Sequence, residues 1–90
     1  MNNVIIMGKV ISKSKIHFDY KDKLKAYFYI TAIENNNIFN VLVSEKYMKL
    51  FNIDTLYRNI NLCNTICVYG NINKAGNKYY ILCKEIYMII

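Results

Sequence analysis

Six lysines fall between positions 9 and 25: Lys9, Lys13, Lys15, Lys21, Lys23 and Lys25. Only Asp19 and Asp22 oppose them, so this stretch holds four of the chain's six net positive charges. Immediately after it, Tyr27 and Tyr29 alternate with Phe28 and Ile30, and Tyr69 alternates with Val68 further on. A second aromatic-basic group, Lys74 and Lys78 with Tyr79 and Tyr80, lies near the C-terminus; consecutive strand residues face opposite ways, so one ring of the pair is at the surface. Cations along a path capture a phosphate backbone, and flat side chains beside them stack unpaired bases. Such stacking contributes about 1–3 kcal/mol per base and tolerates any sequence, because every base has a π-face. Tyrosines facing outward suit a protein interface equally well, since the ring is apolar and its tip is wet.

Other chemistries find little support. General acid–base or nucleophilic catalysis needs a base, an orienting partner and stabilisation of developing charge within one cleft. The sole histidine, His17, sits in the basic segment, and the carboxylates Asp19, Asp22, Glu34, Glu45, Asp54 and Glu85 are dispersed. The three glycines, Gly8, Gly70 and Gly76, form no phosphate-cradling loop. A zinc site would need Cys63, Cys67 and Cys83 with His17. No two cysteines have Cys-x-x-Cys spacing, so reduced, buried thiols in a cytosolic protein are the simpler reading. The sequence therefore reads as a non-enzyme with neither metal nor cofactor.

Positioning these residues falls to one small domain. Ninety residues and 10.6 kDa leave room for a single unit, 1–90, and a hydrophobic share of 54% excludes disorder. No apolar run approaches the roughly 18–20 residues of a membrane span. Met1-Asn2-Asn3 has no basic leader, and Lys9 interrupts the apolar run Val4–Met7, so no secretory signal is expected and the setting is cytoplasmic.

Asn3 to Ile11 reads as a strand with Val4, Ile6, Gly8 and Val10 on one side and Ile5, Met7 and Lys9 on the other. Ile16-His17-Phe18 suggests a brief strand. Ala26 to Ile33 alternates with period two, Glu34-Asn35-Asn36-Asn37 is a turn, and Ile38 to Val43 returns as a hairpin partner. Ser44 is placed to cap a helix over Glu45 to Phe51, with Tyr47, Met48, Leu50 and Phe51 as its core face. A second short helix, capped by Asp54 or Thr55, would run to Asn59. Thr65 to Ile72 is a strand, Asn73 to Asn77 a hairpin loop, and Lys78 to Ile90 the last strand. The expected fold is all-β with one short helical segment: a five-stranded Greek-key OB-fold barrel, its helix between the third and fourth strands.

In this order the segments resemble the bacterial single-stranded DNA-binding protein family. Asn3-Val4-Ile5-Ile6-Met7-Gly8-Lys9-Val10 is similar to that family's opening strand, and Ala26-Tyr27-Phe28-Tyr29-Ile30 to its alternating strand. Asn40-Val41-Leu42-Val43 before Glu45-Lys46 matches the strand entering the helix. Cys67-Val68-Tyr69-Gly70-Asn71-Ile72 resembles the apolar-x-Gly strand, and Lys84-Glu85-Ile86-Tyr87-Met88-Ile89 the closing one. The bare-barrel branch, like primosomal replication protein B, fits almost as well. The chain departs from the pattern at Ile38 and Ser44, where the family stacks bases on aromatics, and at Asn71, which replaces a basic residue. It also carries a short hairpin loop at Asn73–Asn77 and no acidic C-terminal tail.

The expectation is a non-sequence-specific single-stranded DNA-binding protein, coating or presenting the strand in replication, repair or plasmid and phage DNA processing. RNA is an alternative nucleic acid, and a homodimer or homotetramer is the expected assembly. The contacting residues would be Lys9, Lys13, Lys15, Lys21, Lys23, Lys25, Tyr27, Tyr29, Tyr69, Lys74, Lys78 and Tyr79. The alternative is a primosome-like adaptor, a barrel used for protein assembly with weak or no nucleic-acid binding.

Overall fold

The computed structural model describes residues 3–21, 23–48 and 52–89. Among the described residues, six strands and one helix follow in the order β1 (Asn3–Lys13), β2 (His17–Asp19), β3 (Lys25–Glu34), β4 (Asn37–Ser44), α1 (Ile53–Asn59), β5 (Thr65–Ala75) and β6 (Lys78–Ile89). The sheet runs β1-β5-β6-β4-β3-β2, and a further β1–β3 pairing closes five of the strands into a ring. β2 stays outside the ring as a three-residue addition to β3.

Closure depends on β1 serving two partners. Asn3 to Lys9 pair with β5 and Lys9 to Lys13 with β3, with an irregularity between Val10 and Ser12. A bulge bends its strand and increases twist, which a small closed sheet requires. Gly8 and Gly70 interrupt apolar runs for a steric reason. A Cβ on Gly8 would lie 3.0 Å from the Ile33 carbonyl oxygen, and one on Gly70 only 2.2 Å from that of Leu82. Elsewhere, Asn35 and Asn36 take left-handed φ of 49° and 70°, the geometry a two-residue hairpin between twisted strands demands.

The period-two pattern fills the barrel. Val10, Phe28, Ile30, Val41, Val43, Ile66, Val68 and Cys83 are all buried, while their strand neighbours face outward. Helix α1 contributes Ile53 to the core, Ile60 follows it there, and Leu56 and Tyr57 pack against it. The Phe28 and Tyr57 rings meet edge-on at 4.9 Å.

Several expectations are corrected. The described residues after Ser44 form turns rather than a helix, and Leu50 and Phe51 lie outside the described residues. The helix that forms begins at Ile53, and its cap is Asn52, whose side-chain oxygen accepts from the Thr55 N–H, in place of Asp54 or Thr55. The last hairpin is tighter than expected: β5 runs on to Ala75, and only Gly76-Asn77 turn the chain. Of the three thiols only Cys83 is buried; Cys67 is half-buried and Cys63 exposed.

Candidate nucleic-acid interface

Tyr27 and Tyr29 project from the outer face of β3, because Ala26, Phe28 and Ile30 take the inner one. Cross-strand partners then fix their surroundings. Tyr27 lies between His17 of β2 and Ser44 of β4. Its ring stacks on His17 at 5.4 Å and 25°, and meets Tyr29 edge-on at 5.9 Å. Tyr29 pairs with Leu42, and its main chain is held by Ser14, whose hydroxyl accepts from the Tyr29 N–H at 2.8 Å. Burial pushes the Tyr29 hydroxyl above its ordinary pKa, and Tyr27 and Tyr80 add to the effect. The group therefore stays neutral and offers no negative charge to an approaching phosphate.

These rings form the back of a groove of about 490 Å³. Phe18, Tyr20 and Lys21 border it from the β2 side, with Lys25 from β3 and Lys46 and Tyr47 from beyond β4. The turn between β2 and β3 carries left-handed φ of 51° at Lys23 and 57° at Leu24. Non-glycine residues take that conformation at a cost. The opposite rim is pinned. The Glu45 carboxylate accepts from the Ala26 N–H at 2.7 Å, and the Glu45 N–H donates to the Ala26 carbonyl at 3.0 Å. The Ser44 hydroxyl accepts from the Lys46 N–H rather than starting a helix. That clamp turns Tyr47 outward, 48% exposed, where the sequence pattern had placed it in a core.

A second groove of about 440 Å³ continues from the first, sharing Tyr29 and Leu42. It crosses to the last hairpin, where Lys78, Tyr79 and Tyr80 line it. The Lys74 ammonium sits 5.6 Å from the Tyr79 ring centroid, within cation–π range. The described surface thus offers a track from Lys21 and Lys25, over Tyr27 and Tyr29, to Lys78 and Tyr79.

Of the residues singled out in the sequence, Lys21, Lys25, Tyr27, Tyr29, Lys78 and Tyr79 come together on this track. Lys23 is exposed in the adjoining turn, and Lys15 is exposed in the loop before β2. Lys13 is committed elsewhere. Its ammonium donates to the Tyr57 and Ile60 carbonyls, both at 2.8 Å, and lies 4.0 Å from the Tyr57 ring centroid. It closes the end of α1, where a cation meets the negative end of the helix dipole. Lys9 and Tyr69 lie on the outer face of β1 and β5, apart from both grooves. Tyr80 lines the groove together with Tyr79, although strand alternation predicts only one of the two at the surface, and Lys46, Tyr47 and Leu42 were not anticipated at the site. Leu42 had a signal in strand parity; Lys46 and Tyr47 had none, because the turn that presents them depends on Glu45 reaching β3.

Among the described residues no three histidine, cysteine or acidic side chains cluster as a metal site, and no helix is long and apolar enough to cross a membrane. Neither a family model nor a curated protein matches the sequence. Among solved structures, the dimeric N-terminal domain of the PriB protein from Thermoanaerobacter tencongensis superposes with a TM-score of 0.61 at 12% identity. The match covers 99% of this chain and 97% of that one. The two share a fold. Mostly strands, one short helix and a closed sheet make this chain similar to the PriB OB-fold over its whole length.

Proposed function

We propose that this protein binds single-stranded DNA without sequence preference, on a Greek-key OB barrel, and that the β3–β4 track carries the strand. The observation that supports it is the convergence of Tyr27, Tyr29, Tyr20, Tyr47 and Phe18 with Lys21, Lys25 and Lys46 around one open groove. Lysines engage phosphates, the rings take bases, and no side chain there is arranged to read base edges. The protein is not an enzyme on this reading, and its setting is cytoplasmic replication, repair or plasmid and phage DNA processing. RNA is the alternative single strand.

A second face supports self-association. On the outside of β1, β5 and β6, cross-strand rows join Ile5 to Tyr69 and Met7 to Cys67 and Tyr87. Ile5 is 73% exposed, and Met7, Tyr87 and Ile89 are exposed beside it. An apolar patch on a small domain marks an interaction surface, and the solved PriB domain is dimeric. A homodimer through this face, with a tetramer as its extension, leaves the groove open.

Fluorescence anisotropy of labelled oligo-dT, matched duplex and matched RNA, at low and moderate salt, tests the function. Sub-micromolar, salt-sensitive binding to oligo-dT with weak duplex binding is expected. Absence of binding to all three at low salt would overturn it and leave the barrel as a protein-assembly module.

A further inference from the structure

β4 and β6 meet as parallel strands over only two residue pairs, Val41 with Ile81 and Leu42 with Leu82. Before those pairs the strands part, and a groove of about 370 Å³ lies between them. Ile38 and Phe39 line it from β4, Tyr79 and Ile81 from β6, and Ile6 and Ile72 complete the apolar lining. Among the described residues no charged side chain lines it, although the chain carries a net charge of +6.

The main chain around this groove is as informative as its side chains. β4 gives one edge to β3 along its whole length from Asn37 to Ser44, and β6 gives one edge to β5 from Lys78 to Ile89. Their other edges face each other and pair only at the two positions named. Along residues 38–40 and 79–80 both edges therefore have no strand partner. In a strand, alternate N–H and C=O groups point to each edge, so an unpaired edge is a template for another extended chain.

We propose that this groove docks an extended, uncharged, apolar peptide segment of a protein partner, which adds as a strand to the free edge of β4 or β6. Main-chain hydrogen bonds would supply affinity, and the apolar lining would select alternate side chains. Three residues of such a segment span about 10 Å, matching the three-residue wall of β4. Among the described residues the lining itself offers a phosphate no cation; the Lys74 ammonium, 5.6 Å from the Tyr79 ring centroid, stands at its rim. The groove adjoins the far end of the single-strand track, with which it shares Asn40, Tyr79 and Tyr80, while Ile38, Phe39 and Ile81 belong to it alone.

The test uses amide NMR spectra of the isotope-labelled protein titrated with two probes. One is an end-capped heptapeptide of alternating valine and threonine; the other is the same peptide N-methylated at alternate residues, which blocks strand pairing. The first should shift the amides of Ile38, Phe39 and Ile81, and the second should not. Ile38→Ser, at a rim position 62% exposed, should weaken the peptide about fivefold while oligo-dT affinity holds. Equal binding by both peptides, or no shift at these amides, overturns the proposal. So do concentration-dependent shifts at the same amides without peptide, which would assign the groove to a second copy. A loss of oligo-dT affinity in Ile38→Ser matching the peptide loss would assign it to nucleic acid.

Discussion

Two faces of the barrel carry outward tyrosines from strands of similar sequence pattern, yet they differ in what stands beside those rings. On the β3–β4 face, Tyr27 and Tyr29 have a polar and basic frame: His17, Ser44, Lys21, Lys25 and Lys46. On the β1–β5–β6 face, Tyr69 and Tyr87 lie mainly among Ile5, Met7 and Cys67; one ammonium, that of Lys84, stands 6.0 Å from the Tyr69 ring centroid, and the Tyr87 hydroxyl donates to Glu85 at 2.6 Å. A ring set among cations can hold a base whose phosphate is neutralised nearby. A ring set among apolar side chains gains more by excluding water against another protein surface. Alternation along a strand shows that a tyrosine points outward. Its use is decided by the strands paired on either side.

The largest expected effect follows from this contrast. Removing both groove rings, Tyr27→Ala with Tyr29→Ala, should weaken oligo-dT by roughly 30-fold or more, since each stacked base contributes about 1–3 kcal/mol. Removing Tyr69 and Tyr87 should leave affinity within about twofold and shift the sedimentation coefficient toward that of a single chain. If the outer pair costs as much oligo-dT affinity as the groove pair, the two faces are not functionally distinct.

The lysines sharpen the comparison at a smaller scale. Lys13 holds two carbonyls at the end of α1, so Lys13→Met should lower unfolding stability by about 2 kcal/mol. Its effect on the salt dependence of binding should be slight. Lys21→Gln with Lys25→Gln should do the reverse: stability within about 0.5 kcal/mol, and a salt slope reduced by up to about two ions. Denaturant titration and anisotropy across a salt series separate the outcomes. A salt slope that responds to Lys13 and ignores Lys21 and Lys25 would move the phosphate path away from the groove.

Most of the barrel was legible in the sequence because burial imposes period two on every long strand. Phe28, Ile30 and Ala32, or Ile66 and Val68, could not be read another way. The Asn35-Asn36 turn was equally plain, since few residues accept left-handed φ. What stayed hidden depended on contacts distant in sequence. Helical spacing over Tyr47 and Met48 suggested a helix, but Glu45 bonding to Ala26 captures that segment as a turn and gives the groove its rim. Lys13 looked like its neighbours Lys15 and Lys21, and only the arrival of α1 some 44 residues later distinguishes it. The departures at Ile38 and Ser44 are also clarified: Ser44 is buried beside Tyr27, so the aromatic surface there comes from β3 and from Tyr47.

The thiols extend the contrast between the faces to a finer scale. Cys67 stands between Met7 and Tyr87 on the outer face, Cys63 is exposed at a turn, and Cys83 is buried in the barrel. Burial pushes the Cys83 thiol up from 9.0 to about 12, against a smaller opposing effect of the Glu85 main chain. Alkylation of the native protein should therefore modify Cys63 first and Cys83 only after unfolding. Cys67 should react more slowly as protein concentration rises, if a second copy covers the outer face. A Cys67 rate independent of concentration, up to the range where sedimentation shows a dimer, would place the contact elsewhere. Cys83 also has a signature in stability. Because its folded pKa is raised, the unfolded chain ionises first. The contribution is complete below pH 9 and is lost between about 9 and about 12. Over that window Cys83 adds a fall of up to about 1.4 kcal/mol per pH unit, and Cys83→Ala should remove that part of the slope while the falls from Tyr29 and Tyr87 remain. An unchanged slope in Cys83→Ala would mean that the thiol is no more shielded than in the unfolded chain.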